Sequence, residues 1–216
     1  MQAPDAQIQS QKLIKGFELI KQKKFDEAQI LFTEGISESE AGQDKVLLAL
    51  FYSAMGIVYK LKKEFRTAWK YYEKAEKLLP DDPSLKIISS RLLVDYFGQY
   101  DIVIKKMNKV LEKTKEFTPF QYQAHTVMGL AWLRKGNKNK AAESLRKSMD
   151  CLQSGMDTVA NVDFELVESM ARKKIAPQLC LEFLGRAKDL AKAGSEDIMA
   201  KFIQKLIDQF PLDPGK

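Results

Sequence analysis

The chain has 216 residues, of which 45% are hydrophobic and 30% are charged, and its formal net charge is +6 at pH 7. This composition supplies enough apolar material for a continuous core and excludes a largely disordered chain. The longest apolar run, residues 46–59, is shorter than the roughly 20 residues that a membrane-spanning helix needs. The mild positive charge permits an anionic partner but does not by itself indicate nucleic acid.

The N-terminal residues carry neither a basic start nor an apolar stretch, so we expect no secretory signal, and residues 1–8 are predicted to be a flexible terminus. The two cysteines, Cys151 and Cys180, are not at CxxC spacing. This favours buried, reduced thiols over a disulfide or a metal site. We therefore expect a reducing compartment, the cytoplasm or the nucleus.

Four helical hairpins are predicted over residues 9–153, and in three of them a glycine lies where the two helices meet. The first carries Gly16, Leu19, Ala28 and Phe32. The second, residues 49–80, is the clearest, with Tyr52, Met55, Gly56, Tyr59, Ala68, Tyr72, Ala75 and Pro80. The small side chains at Gly56 and Ala68 allow close approach of the helices, and Pro80 ends the second helix.

The later hairpins follow the pattern less closely. In the third, Val94, Val103 and Met107 keep the apolar spacing, and Arg91 is assigned to the small position. The fourth has Met128, Gly129, Trp132, Ala141 and Leu145, with His125 at the first aromatic position. The four equivalent positions, Gly16, Gly56, Arg91 and Gly129, are 40, 35 and 38 residues apart, so the connections between hairpins vary in length.

The spacing over residues 49–80 resembles the tetratricopeptide-repeat signature, and residues 122–153 resemble it well. The resemblance implies an all-α fold, a right-handed α-solenoid of antiparallel helix pairs. An additional hairpin and a C-terminal capping helix are predicted over residues 157–210, with an unstructured tail at 211–216. Pro177 is expected to begin one of these helices, and Ser195 is expected to cap the last. The apolar stripe of that last helix comprises Ile198, Met199, Phe202, Ile203, Leu206, Ile207 and Phe210. Docking of this helix on a partner, or into the chain's own groove, is the alternative to capping.

By the same resemblance, the first helix of each hairpin lines a concave groove that binds partner proteins. The groove positions are Leu13, Phe17, Ile20, Ser53, Ile57, Lys60, Leu92, Tyr96, Leu130 and Leu133. Chaperone-binding members of the family hold a carboxylate with Lys, Arg and Asn at the points where this chain has Leu13, Phe17, Ser53, Ile57, Ile88 and Leu92, none of which can hold one. We therefore predict an apolar or amphipathic helix of a partner as the ligand, unless neighbouring hairpins bury these residues.

A second predicted surface, the basic edge, lies in the turns within the hairpins. It comprises Lys23, Lys24, Lys62, Lys63, Arg66, Arg134, Lys135 and Lys138. Stacked hairpins would align these turns, so binding of RNA or another polyanion is the alternative function. Lysines near helix C-termini also stabilise the helix dipole, which explains them without a ligand.

Catalytic motifs are missing from the sequence. His125 is the only histidine, and neither a metal-ligand cysteine pair nor a phosphate-binding glycine loop is present. The sequence therefore predicts a non-enzymatic adaptor, scaffold or assembly chaperone, with a protein as partner and with no cofactor or small-molecule substrate.

Overall fold

The structure is a computed structural model that describes residues 3–115, 118–154, 156 and 158–209. Every regular element in these residues is helical. The helices are α1 (Ala3–Lys21), α2 (Phe25–Ala41), α3 (Lys45–Leu61), α4 (Phe65–Leu78), α5 (Pro83–Leu92), a π-helical turn (Leu93–Phe97), α6 (Tyr100–Lys113), α7 (Thr118–Arg134), α8 (Lys138–Ser154), α9 (Glu165–Arg172), α10 (Pro177–Ala193) and α11 (Asp197–Asp208). The predicted all-α helical repeat is confirmed.

The chain forms two compact units, Met1–Leu92 and Leu93–Lys216, so their boundary lies inside the third predicted hairpin. In unit 1, each of α1 to α4 packs on the helix that follows it, and α1 also contacts α3. In unit 2, α6 packs on α7 and α7 on α8, while α10 contacts α8, α9 and α11. Both units are therefore built from antiparallel neighbours joined by short turns.

Glycines pack against aromatic rings in unit 1. A Cβ atom built on Gly16 would lie 3.0 Å from Cδ1 of Phe32. The same pairing joins Gly35 to Phe51 at 2.7 Å and Gly56 to Tyr72 at 2.6 Å. These distances are too short for any real Cβ atom to fit without movement. This glycine–aromatic contact therefore also joins α2 to α3, although Gly35 is not part of the predicted hairpin pattern.

The small position of the third predicted hairpin is Ser90 and not Arg91. Ser90 is fully buried, whereas Arg91 is partly exposed. Ser90 follows Gly56 by 34 residues, but the buried Val103 follows Ala68 by 35. The π-helical turn Leu93–Phe97 lies between them and accommodates one more residue per turn than an α-helix. This insertion explains why the assignment from spacing alone was wrong by one position.

Most turns between helices share one geometry. A residue with positive φ follows the helix, and the next amide N–H donates to a carbonyl five residues earlier. Lys63 has φ of 63°, and the N–H of Glu64 donates to the carbonyl of Tyr59 at 2.8 Å. Lys23, with φ of 61°, forms the equivalent turn in the first hairpin.

Both ends of the chain are predicted from the sequence to be flexible or unstructured. Helix α1 begins at Ala3, so residues 3–8 belong to this helix. Met1, Gln2 and the tail 211–216 lie outside the described residues.

The C-terminal helices are placed as predicted, but their details differ. Pro177 is the first residue of α10, and α11 packs on α10 as a cap. Ser195 is not the N-cap, because Glu196 occupies that position and its carboxylate accepts from the Val159 N–H at 3.0 Å. In the predicted stripe of α11, Ile203 is buried, Ile198 is 84% exposed, and Phe210 lies outside the described residues.

Candidate functional site

An exposed apolar surface with helical continuity lies in unit 1, on one side of α1 and α3. We call it the α1/α3 face and define it by Leu13, Phe17, Ile20, Lys21, Val46, Leu50, Ser53, Ile57, Lys60 and Leu61. On α3 these residues recur every three or four positions, so they form one stripe along four turns. Val46 is 55% exposed, Leu50 43% and Leu61 44%. Such a stripe would normally be buried against another element.

The other sides of α3 anchor it in the core of unit 1. Phe51, Ala54, Met55 and Val58 are buried in one cluster with Phe32 of α2. Gly56 lets α4 approach closely, because the ring of Tyr72 lies against it. Helix α3 therefore keeps a fixed rotation, and its remaining side, including Leu50 and Ile57, faces away from α2 and α4.

Helix α1 continues the same face beside α3. Phe17 is 38% exposed, and its ring centroid lies 5.8 Å from that of Phe32. Leu13 and Ile20 are half-buried and pack against the core cluster of unit 1. The α1 part of the face is thus apolar at its centre and fixed by contacts with the core beneath it.

The structure separates the predicted groove residues into two groups. Leu13, Phe17, Ile20, Ser53, Ile57 and Lys60 are at least partly exposed on the α1/α3 face. Leu92, Leu130 and Leu133 are buried, with 0%, 0% and 4% of their surface exposed, so they cannot line an open groove. Tyr96, in the π-helical turn, is 48% exposed. For the buried leucines, the alternative that neighbouring helices cover them is correct.

Three residues of the face were missed in the sequence. Val46, Leu50 and Leu61 are more exposed than most of the predicted positions. Their spacing from Ile57, at 11, 7 and 4 residues, places them on the same side of α3 and could have identified them. They were missed because a strongly apolar helix is usually interpreted as buried on all sides.

Half of the predicted basic edge is occupied by ion pairs. Lys62 binds Asp26 at 2.9 Å, Lys24 lies 3.5 Å from Glu27, and Lys135 binds Asp101. The remaining members, Lys23, Lys63, Arg66 and Lys138, are exposed. Since a phosphate would have to compete with these carboxylates, fewer charges remain for a polyanion than the sequence suggested.

Arg134 is a structural residue of unit 2 rather than part of an open basic surface. Its guanidinium donates to the carbonyl of Val94 at 2.7 Å and to Glu165 at 2.7 Å, and it lies 2.8 Å from the carboxylate of Asp95. These contacts join α7 to the π-helical turn and to the start of α9. Arg134 is therefore less available to a ligand than its place in the predicted basic edge suggests.

The turn between α7 and α8 borders a shallow cavity of about 490 Å³. Its lining consists of Trp132, Lys135, Gly136, Asn137, Lys138 and Asn139. The ammonium of Lys140 lies 4.3 Å from the centre of the Trp132 ring, a cation–π contact. The aromatic face is thus already engaged by a cation of this chain.

The two cysteine thiols are poor nucleophiles in this structure. Burial raises the pKa of both the Cys151 and the Cys180 thiols to about 11, so both are protonated at neutral pH. Within the described part of the chain, no three His, Cys, Asp or Glu side chains converge as a metal site requires. In the same part, no helix combines the length and apolarity needed to cross a bilayer.

The pH dependence of stability tests whether the His125 side chain is buried. Burial, aided by the positive charge of Lys147, lowers the pKa of the imidazole to about 4. In the unfolded chain the His125 imidazole is protonated below about pH 6.5, whereas in the folded chain it stays neutral until about pH 4. The free energy of unfolding therefore falls as the pH decreases from 6.5 towards 4. We expect the wild type to lose about 1 kcal/mol more than His125→Phe between pH 7.5 and 5.0, after discounting for partial solvent exposure.

Urea denaturation at the two pH values measures this difference. Because carboxylates distant from His125 titrate equally in both proteins, their contributions cancel in the comparison. Equal losses in wild type and variant would show that His125 is solvated and free to be protonated.

Solved structures share this fold. RapI, in its apo form, superposes with a TM-score of 0.69 at 16% identity, covering 95% of this chain and 78% of that one. PilW, a type IV pilus biogenesis factor, gives 0.64 at 16% identity, covering 96% of both chains. PilF from Pseudomonas aeruginosa gives 0.64 at 13% identity, covering 98% of this chain and 94% of that one. No protein-family model and no curated protein sequence matches the chain significantly.

Proposed function

We propose that this chain, which has the fold of tetratricopeptide-repeat proteins, is a protein-interaction module that binds an apolar or amphipathic segment of a partner on the α1/α3 face. The observation that carries the proposal is the stripe of α3, where Val46, Leu50 and Leu61 are each 43–55% exposed. Exposed apolar surface of this continuity is typical of a protein-binding site.

The composition of α3 supports the same conclusion. Its 17 residues include no acidic side chain and only two lysines, Lys45 and Lys60. Burial of Val46, Leu50 and Leu61 by a partner would contribute on the order of 1 kcal/mol or more for each side chain. From Val46 to Ile57, α3 carries no Lys, Arg or Asn that would hold a terminal carboxylate, so the recognition we propose along this stretch is apolar.

A photo-crosslinking experiment tests the proposal. A photoreactive phenylalanine analogue replaces Leu50 or Leu61 in cells, and the matched control places it at Ile30 of α2, which is 63% exposed. We expect one and the same partner to crosslink from positions 50 and 61 and not from position 30. Equal adducts from all three positions, or none, would contradict the proposal.

A binding measurement with that purified partner completes the test. Calorimetry is expected to show at least a tenfold loss of affinity for Leu50→Glu, because a carboxylate cannot be buried unpaired at an apolar contact. Ile30→Glu, which introduces the same charge on another helix, should leave the affinity unchanged. Circular dichroism verifies that both variants retain their helices.

A further inference from the structure

Four lysines are concentrated at one end of the α1/α3 face. Helices α1 and α3 run in the same direction, since two tight turns reverse the chain between them. Lys21 is the last residue of α1, and Lys60 is the last but one of α3. Lys23 and Lys63 follow in the adjoining turns. The face is therefore apolar along its length and basic at the C-terminal ends of its two helices.

Some cations of unit 1 are paired with the acidic residues of α2, but these four lysines are not. The five acidic residues of α2 attract Lys12, Lys24 and Lys62, each of which lies within ion-pair distance of a carboxylate there. Among the described side chains of unit 1, Lys21, Lys23, Lys60 and Lys63 form no ion pair. Their charge is thus available to a ligand, whereas that of Lys62 is balanced within the chain.

Two of these lysines lie at turn positions with a left-handed backbone conformation. Lys23 and Lys63 have φ of 61° and 63°, a left-handed conformation that glycine adopts with less strain. Both turns nevertheless carry a lysine, in matching positions of consecutive hairpins. These two lysines add positive charge next to the C-terminal ends of α1 and α3.

We propose that the segment bound by the α1/α3 face is an amphipathic helix with an acidic end, and that this acidic end lies against Lys21, Lys23, Lys60 and Lys63. This inference rests on the proposed function. Apolar residues of the segment contact Leu50 and Ile57, and its carboxylates meet the lysines, which fixes the direction in which the segment lies. The basic end alone is too small for a polyanion, because only four charges contribute to it.

Selection from a random library of displayed 16-residue peptides provides the probe. The full chain and its Leu50→Glu variant are used as baits in parallel. We expect peptides that prefer the wild type to carry Leu, Ile or Phe at helical spacing and a cluster of Asp or Glu at one end. The best peptide is then synthesised for fluorescence anisotropy, together with a version in which Gln replaces its acidic residues.

Charge variants of the chain then test the placement of the acidic end. The double variant Lys21→Gln/Lys60→Gln is expected to bind the acidic peptide about tenfold more weakly, with a smaller salt dependence, and to bind the Gln peptide as the wild type does. The control Lys138→Gln/Lys173→Gln removes two exposed lysines of unit 2 and should change neither affinity.

The outcomes distinguish this inference from the proposed function. If no peptide prefers the wild type over Leu50→Glu, the proposed function fails and this inference fails with it. If apolar peptides are selected without acidic ends, and the Lys21→Gln/Lys60→Gln variant binds them normally, the proposed function stands and this inference is refuted.

Discussion

Replacement of Gly56 by alanine is expected to lower the free energy of unfolding by about 2 kcal/mol, although alanine is the better helix former. The new Cβ atom would lie 2.6 Å from Cδ1 of Tyr72, whose side chain is only 1% exposed and cannot swing into solvent. Separation of α3 from α4 therefore costs about 3 kcal/mol, and the helix propensity of alanine recovers about 1 kcal/mol.

Gly185→Ala is the matched control for this substitution. A Cβ atom on Gly185, in the middle of α10, has no heavy atom within 4 Å. This variant should therefore gain up to about 1 kcal/mol from helix propensity alone. Urea denaturation followed by circular dichroism measures both changes. Equal effects of the two substitutions would mean that α3 and α4 do not pack as closely at Gly56 as the structure shows.

Replacement of Arg134 by alanine is expected to destabilise unit 2 by about 2 kcal/mol. The guanidinium is 27% exposed, and its removal would leave the carboxylate of Asp95, which is 16% exposed, without this cation. It also removes bonds to the carbonyl of Val94 and to Glu165. Loss of one partner from a largely buried pair costs more than the pair contributes, because the remaining charge is poorly solvated.

Arg172→Ala serves as the control for the arginine. Its guanidinium is 69% exposed and lies 3.9 Å from Glu168 one turn away, so its loss should change stability by less than about 0.5 kcal/mol. Thermal unfolding of the three proteins compares the effects. If Arg134→Ala were as stable as Arg172→Ala, the contacts of Arg134 would be solvated, and this residue could return to the basic edge.

The first of these predictions bears on how the α1/α3 face is presented. Gly56 fixes the rotation of α3 and hence the direction of Leu50 and Ile57. Arg134 is a basic residue near a hairpin turn whose charge is paired with carboxylates of the same chain. Residues of one chemical type in equivalent turns, such as Lys63 and Arg134, thus serve different purposes according to the carboxylates near them.

The sequence alone was sufficient for the fold. Gly56, Tyr72 and Ala75 are at spacings that only a pair of close-packed helices explains, and local periodicity carries this information. Local patterns also placed Pro177 at the start of α10. The same patterns failed at Ser90, because a π-helical turn inserts a residue without any change of composition that would reveal it.

Which apolar residues face solvent was decided only by the tertiary structure. Leu50 and Leu130 are chemically identical and both lie on the first helix of a predicted hairpin, yet one is 43% exposed and the other is fully buried. The burial of a side chain depends on helices distant in sequence, and the charge available at a lysine depends on carboxylates contributed by another helix. The sequence could name the helical pairs and their apolar content, but only the packing of those pairs selects the side of α1 and α3 that remains open.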